Sequence, residues 1–190
     1  MAKINFCGDS FCKSDIEESW TYQIASRLDA EIIGLGVGGT AIEHVFKTFD
    51  PKADYTIFCW TEPHRLYHPK YKVSTATCNH YVKTRPENKI WAAGHVYYKY
   101  LHNWEVAEER YVRELFWFDQ CVLKEYAGKA IHLFCFKCLY KFENGVTFSN
   151  PLNLRRNVPF ALDNSEEVAN HFTAEQNKQL ADELYECLKQ

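Results

Sequence analysis

The chain has 190 residues, 46% of them hydrophobic and 25% charged, with a formal net charge of −3. That length fits one domain spanning 1–190, and a chain of this size buries roughly 70% of its unfolded surface, so composition excludes intrinsic disorder and a need for covalent staples. Lysines and arginines scattered among acids make no basic field for nucleic acid, and no stretch approaches the ~20 apolar residues of a membrane span.

Met1-Ala2-Lys3 leads straight into a strand pattern instead of a signal peptide, so the expectation is a soluble, cytoplasmic protein whose eight cysteines stay reduced. Cys7, Cys59, Cys121 and Cys135 stand inside apolar runs, where a thiol acts as a small hydrophobe.

In chain order, Lys3 to Cys7 reads as a first strand. Ser14 with Glu17 has the spacing of a capping box, followed by Ile16, Trp20, Ile24 and Leu28 at helical intervals. Glu31 to Leu35 is a second strand, and Thr40 with Glu43 predicts another capped helix ending near Phe49. Tyr55 to Trp60 is the third strand, completing a βαβαβ unit.

From about 61 to 90 the pattern fails, which predicts an irregular insertion, a class of loop that commonly serves recognition. His68, Tyr71, His80 and Tyr81 in it are candidates to contact a substrate. Ile90 to Tyr126 is helical in pattern, with Leu101, Trp104, Tyr111, Leu115, Phe118, Val122 and Tyr126 near one face, a stripe best read as core packing. Ala130 to Phe136 is a fourth strand, and the segment from Phe142 to Leu162, with its Glu-Asn-Gly turn, holds a possible fifth. Thr173 with Gln176 is a third capping box, opening a helix through Leu180, Leu184 and Leu188.

This alternation predicts an α/β fold with a parallel sheet, and in such sheets ligands gather at the carboxyl ends of the strands. The segments there are Gly8-Asp9-Ser10, Gly36-Val37-Gly38-Gly39-Thr40 and Trp60-Thr61-Glu62-Pro63-His64-Arg65, joined by Asn170-His171-Phe172-Thr173 before the last helix. Gly8 is expected to make the turn that presents Ser10 near the first helix. Backbone N–H groups at Ser10 and in the glycine turn are placed to receive an oxyanion, and His171 is placed to act as base.

On these four blocks the chain resembles the SGNH, or GDSL, hydrolase superfamily, and the likeness extends over nearly its whole length. The resemblance implies a three-layer α/β/α sandwich with a flavodoxin-like, mainly parallel sheet, and hydrolysis of small or carbohydrate-linked acyl esters through an acyl-serine intermediate. It implies Ser10 in INFCGDSFC as nucleophile, Gly39 in GVGGT as an oxyanion donor and His171 in ANHFTAEQNKQLADEL as base, with no metal or organic cofactor.

Two positions depart from the family pattern. Glu62 stands where an asparagine usually donates to the oxyanion, leaving Thr61, His64 or Arg65 as substitutes, although phage-encoded members carry similar tryptophan-threonine blocks. Val168 stands where the triad aspartate usually lies, leaving Asp163 or Glu167 to orient His171. Glu62, His64 and Arg65 also make up a candidate substrate loop.

Two other classes remain open. One is a binding or structural module that keeps the fold without turnover. The other is a zinc protein built on Cys135 and Cys138 with His132, or with Cys78 and His80 of the irregular segment, weakened by the lack of a second CxxC pair.

Overall fold

The computed structural model describes residues 1–155 and 169–189. Five strands form one sheet in the order β2-β1-β3-β4-β5, every neighbouring pair parallel: β1 Ala2–Gly8, β2 Ala30–Gly34, β3 Tyr55–Trp60, β4 Lys129–Phe134 and β5 Val146–Phe148. This is the flavodoxin-like order, and the expected α/β/α sandwich with a parallel sheet is the observed one.

Strand side chains alternate faces, and the sequence supplies apolar residues to both. On one face Ile4, Phe6, Ile57, Ile131 and Leu133 pack under α1 Trp20–Arg27 and α6 Ala174–Lys189 through Trp20, Ile24, Leu180 and Leu184. On the other, Cys7, Phe58, Trp60 and Phe134 pack under α2 Ile42–Thr48 and α5 Trp104–Cys121 through Val45, Tyr111, Leu115 and Phe118.

His132 lies in this second layer, fully buried and parallel to Phe142, with ring centroids 3.6 Å apart. Its Nδ1 accepts from Trp60 Nε1 at 3.1 Å and its Nε2 lies 2.9 Å from the Asn144 carbonyl, an arrangement that suits a neutral ring. Burial lowers its pKa to about 3, outweighing the Asn144 bond and the charge of Asp119.

Several local expectations are corrected. Ser14 caps no helix: its N–H donates to Asn170 Oδ1 at 2.8 Å and its carbonyl accepts from Thr21, so the chain stays irregular until Ser19 caps α1 by accepting from Tyr22 N–H at 3.2 Å. Thr40 does not cap α2 either, because its hydroxyl donates backward to the Val37 carbonyl at 2.8 Å. The predicted capping box at Thr173 and Gln176 is present, with bonds of 3.0 and 3.3 Å.

The insertion is not irregular throughout. Ser74 and Thr77 form a capping box that opens α3 Thr75–Thr84, and α4 Lys89–Val96 follows. Between them Val73, Cys78 and Trp91 make a small core, with Leu66, Tyr71, Tyr81 and Tyr98 packed against it. The helix read over 90–126 is interrupted: a π-helical turn at Tyr97–Leu101 follows α4, and Asn103 then restarts the helix by accepting from Val106 N–H at 3.0 Å. Leu101 and Trp104 accordingly face solvent, whereas Tyr111, Leu115 and Phe118 keep the expected core stripe.

Candidate active site

The candidate site is built from the chain leaving β1. Gly8 remains in the strand instead of turning. What requires glycine there is close approach, since a Cβ would lie 2.5 Å from both Cβ and the carbonyl oxygen of Cys59 on β3. Asp9 then caps a 3-10 turn over Ser10–Cys12 by accepting from Phe11 N–H at 3.1 Å, so Ser10 opens this short turn while α1 starts ten residues later. Ser10 is half-buried, and its hydroxyl forms no hydrogen bond with another of the described residues.

Asp9 is completely buried and joins three strand ends. Its Oδ2 accepts from Thr61 Oγ1 and from Arg65 Nη1, each at 3.2 Å, and its Oδ1 from Cys135 Sγ at 3.2 Å. Arg65 goes on to Glu62 Oε1 at 3.1 Å and the Thr40 carbonyl at 3.2 Å, with its guanidinium over the Phe136 ring. A carboxylate taken this far from water requires such a cation and hydrogen bonds. The Glu62 carboxylate is therefore partnered by Arg65, and the single Thr61 hydroxyl proton is directed to Asp9.

The turn after β2 is laid against Ser10 by two backbone bonds: Gly36 N–H to the Cys12 carbonyl at 2.9 Å and Val37 N–H to the Gly8 carbonyl at 3.0 Å. Gly38 abuts the serine, and a methyl group there would lie 3.2 Å from Ser10 Cβ. Gly39 has φ +77°, a conformation natural to glycine. Neither the Ser10 nor the Gly39 N–H donates to a described residue.

His171 lies on the turn entering α6. Asn170 and His171 have φ of +59° and +66°, conformations that cost a side-chain-bearing residue roughly 1–3 kcal/mol each unless the surroundings enforce them. Two buried asparagines do so. Asn177 Nδ2 donates to the carbonyls of Ala169, Phe172 and Thr173 at 3.0–3.1 Å while its Oδ1 accepts from Trp20 N–H at 2.9 Å. Asn170 clasps Ser14, bonding its N–H at 2.8 Å and its carbonyl at 3.5 Å. The His171 ring consequently rests against Phe11, the neighbour of Ser10, with ring centroids 5.0 Å apart. Asp163 and Glu167, the candidate orienting acids, lie outside the described residues, as does Val168.

Ser10, Thr61, Glu62 and Arg65 are thus gathered around Asp9, with the turn that carries Gly39 laid against Ser10 through Gly38 and His171 resting on Phe11. His64 leaves the group: its ring packs on Trp104 at 3.8 Å and on His102 at 5.3 Å, where burial, then the neighbouring His102, depresses its pKa. Of the insertion residues, His68 and Tyr71 line a cleft beside Gly39, Tyr81 stacks on Trp91, and His80 is exposed on α3.

Cys135 and Cys138 serve separate contacts, with Asp9 and with the Tyr140 carbonyl, and no group of metal-ligating side chains forms among the described residues. Nor is any helix among them long and apolar enough to cross a membrane.

Sequence reasoning missed Asn170 and Asn177 as organisers, although asparagine beside a candidate base is itself a signal for left-handed backbone. It also missed the role of Asp9. No family model, curated protein or solved structure matches the chain.

Proposed function

We propose that the protein is a serine ester hydrolase of the SGNH type, acting on small or carbohydrate-linked acyl esters. Ser10 Oγ attacks the ester carbonyl while His171 accepts its proton, and the tetrahedral oxyanion faces the Ser10 and Gly39 N–H groups. Collapse breaks the bond to the alcohol, which leaves with the proton from His171. A water molecule, deprotonated by His171, then releases the acid from the acyl-serine. Asp9 touches no reacting atom in this scheme. It holds Thr61 and Arg65 under the serine turn, and Arg65 draws the Glu62 carboxylate to itself. Free, mostly buried cysteines suit the cytoplasmic location expected of the chain.

The observation that carries this reading is the packing of the His171 ring on Phe11, which brings the turn before α6 against the residue following Ser10 in a parallel sheet of flavodoxin-like order. Labelling with a fluorophosphonate probe tests it. Wild-type protein is expected to be labelled, Ser10→Ala not at all, and His171→Ala at least 100-fold more slowly. Wild type labelled no better than Ser10→Ala would leave a non-catalytic binding module on this fold.

A further inference from the structure

The cleft beside Gly39 has a charge character at odds with the molecule as a whole. It encloses about 170 Å³ between the glycine turn and the loop leading to α3, with Gly39, His44, Tyr67, His68, Lys70 and Lys72 in its wall. The chain carries a net charge of −3, yet no carboxylate lines this cleft, and both lysines in its wall lack an ion pair with any described residue.

Lys72 is the better placed of the two. Its stem lies along Gly39, where a Cβ would meet its Cδ at 2.8 Å and its Cβ and Cγ at 3.2 Å. Its ammonium reaches the next glycine: a methyl group on Gly38 would be 3.9 Å from Lys72 Nζ and 3.2 Å from Ser10 Cβ, so one small group spans serine and cation.

Local structure holds the segment in place. His68 Nδ1 accepts from the N–H groups of Lys70 and Tyr71 at 3.1 and 3.2 Å, and the Lys72 carbonyl accepts from Thr77 Oγ1 at 2.6 Å. A third ammonium, Lys47 Nζ, lies 2.8 Å from the Tyr67 hydroxyl, and His44 Nε2 is buried without a partner among the described residues. Cationic side chains around a cleft with no carboxylate in its wall raise the local concentration of anions.

We infer that this cleft binds the anionic group of a carboxylate-bearing ester, with Lys72 as the cation that pairs with it beside Ser10. The inference rests on the hydrolase reading for its location and deepens it by naming the substrate class. The volume is small beside the 300–1,000 Å³ usual for drug-sized ligands, so it accommodates a carboxylate with a few carbons and not a second ring system.

Two ester pairs locate the charge: 4-acetoxybenzoate against its methyl ester places it on the alcohol, and phenyl hydrogen adipate against phenyl hexanoate places it on the acyl group. Wild type should prefer the anionic member of one pair in kcat/KM. Lys72→Met should reduce that ratio about 10-fold, Lys72→Arg should retain it, and 0.5 M salt should erode it. Ratios unchanged by Lys72→Met in both pairs would overturn the inference.

Binding of adipate and of 4-hydroxybenzoate to Ser10→Ala, followed by NMR titration, provides an arm independent of turnover. Salt-sensitive binding of either that Lys72→Met weakens supports the cleft even if the probe fails to label wild type, in which case only the hydrolase reading falls. Absence of binding by both anions, or binding indifferent to Lys72→Met, overturns the inference.

Discussion

Two aspartates are fully buried among the described residues, and they are satisfied in opposite ways. Asp119, near the end of α5, accepts from Glu143 N–H at 2.8 Å, from Asn144 N–H at 3.0 Å, from Asn144 Nδ2 at 2.8 Å and from the Tyr140 hydroxyl at 3.0 Å, all on one short loop. Burial pushes its pKa up, but these hydrogen bonds outweigh burial and hold it below the usual carboxylate range. Asp9 instead draws its partners from the ends of β3 and β4 and faces a buried guanidinium. A carboxylate solvated by one loop fixes that loop, whereas one solvated by several strand ends fixes their mutual position. The first is a device of the fold, the second of the site.

Predictions that separate the two begin with Asp119→Ala, which strands two backbone N–H groups and an amide. Chemical denaturation should show a loss of about 4–5 kcal/mol, with the protein that remains folded still labelled by the fluorophosphonate. A loss under ~1 kcal/mol would contradict the fold role. Asp9→Asn keeps the shape but removes the charge facing Arg65. It should cost about 2–3 kcal/mol in the same measurement and slow labelling more than 10-fold, the reverse of the Asp119 pattern. Equal labelling rates in the two variants would erase the distinction.

A third test is pH, through His132, whose Nε2 meets the same loop that Asp119 holds. Unfolded, this ring takes a proton near pH 6.5, whereas folded it stays neutral to about pH 3. The unfolded state therefore binds more protons below 6.5. The stabilisation is complete above that pH and is lost as pH falls, at up to ~1.4 kcal/mol per pH unit and about 2 kcal/mol by pH 5. Burial lowers the pKa of His44, His64 and His102 too, adding to the slope in the same direction, while Asp119 contributes only below the ordinary carboxylate range. Thermal melts that do not fall between pH 7 and 5 would contradict a buried neutral His132. The smallest effect is expected from Thr61→Val, about 1 kcal/mol by denaturation for one hydrogen bond to Asp9, with labelling slowed only a few-fold.

The strands were legible because apolar runs such as Tyr55 to Trp60 bury both faces and leave little choice of conformation. The blocks bearing Ser10, Gly39 and His171 were legible because each is local and sits at the end of an element. Two of the three helix starts were not, since a capping box is a contest among hydrogen bonds: Asn170 captures Ser14 and Thr40 turns back to Val37, whereas Thr173 keeps its bond with Gln176. The helix α3 escaped notice because it packs on a small core of its own through Cys78 and Tyr81, so no long apolar period marks it. The Asp9–Arg65 pair and the approach of Lys72 to Gly38 join residues more than thirty positions apart, and no spacing rule reaches that far.

The clasp of Asn170 on Ser14 spans 156 positions of sequence. Contacts of such separation close a long loop, and the entropy of doing so makes them slow to form relative to local ones. Helices and strands on their own therefore leave Ser10 and His171 apart. Only a chain whose last helix has docked has both in one place, so under the proposed chemistry labelling of Ser10 during refolding would read out completion of the fold, a quantity that far-ultraviolet dichroism does not see.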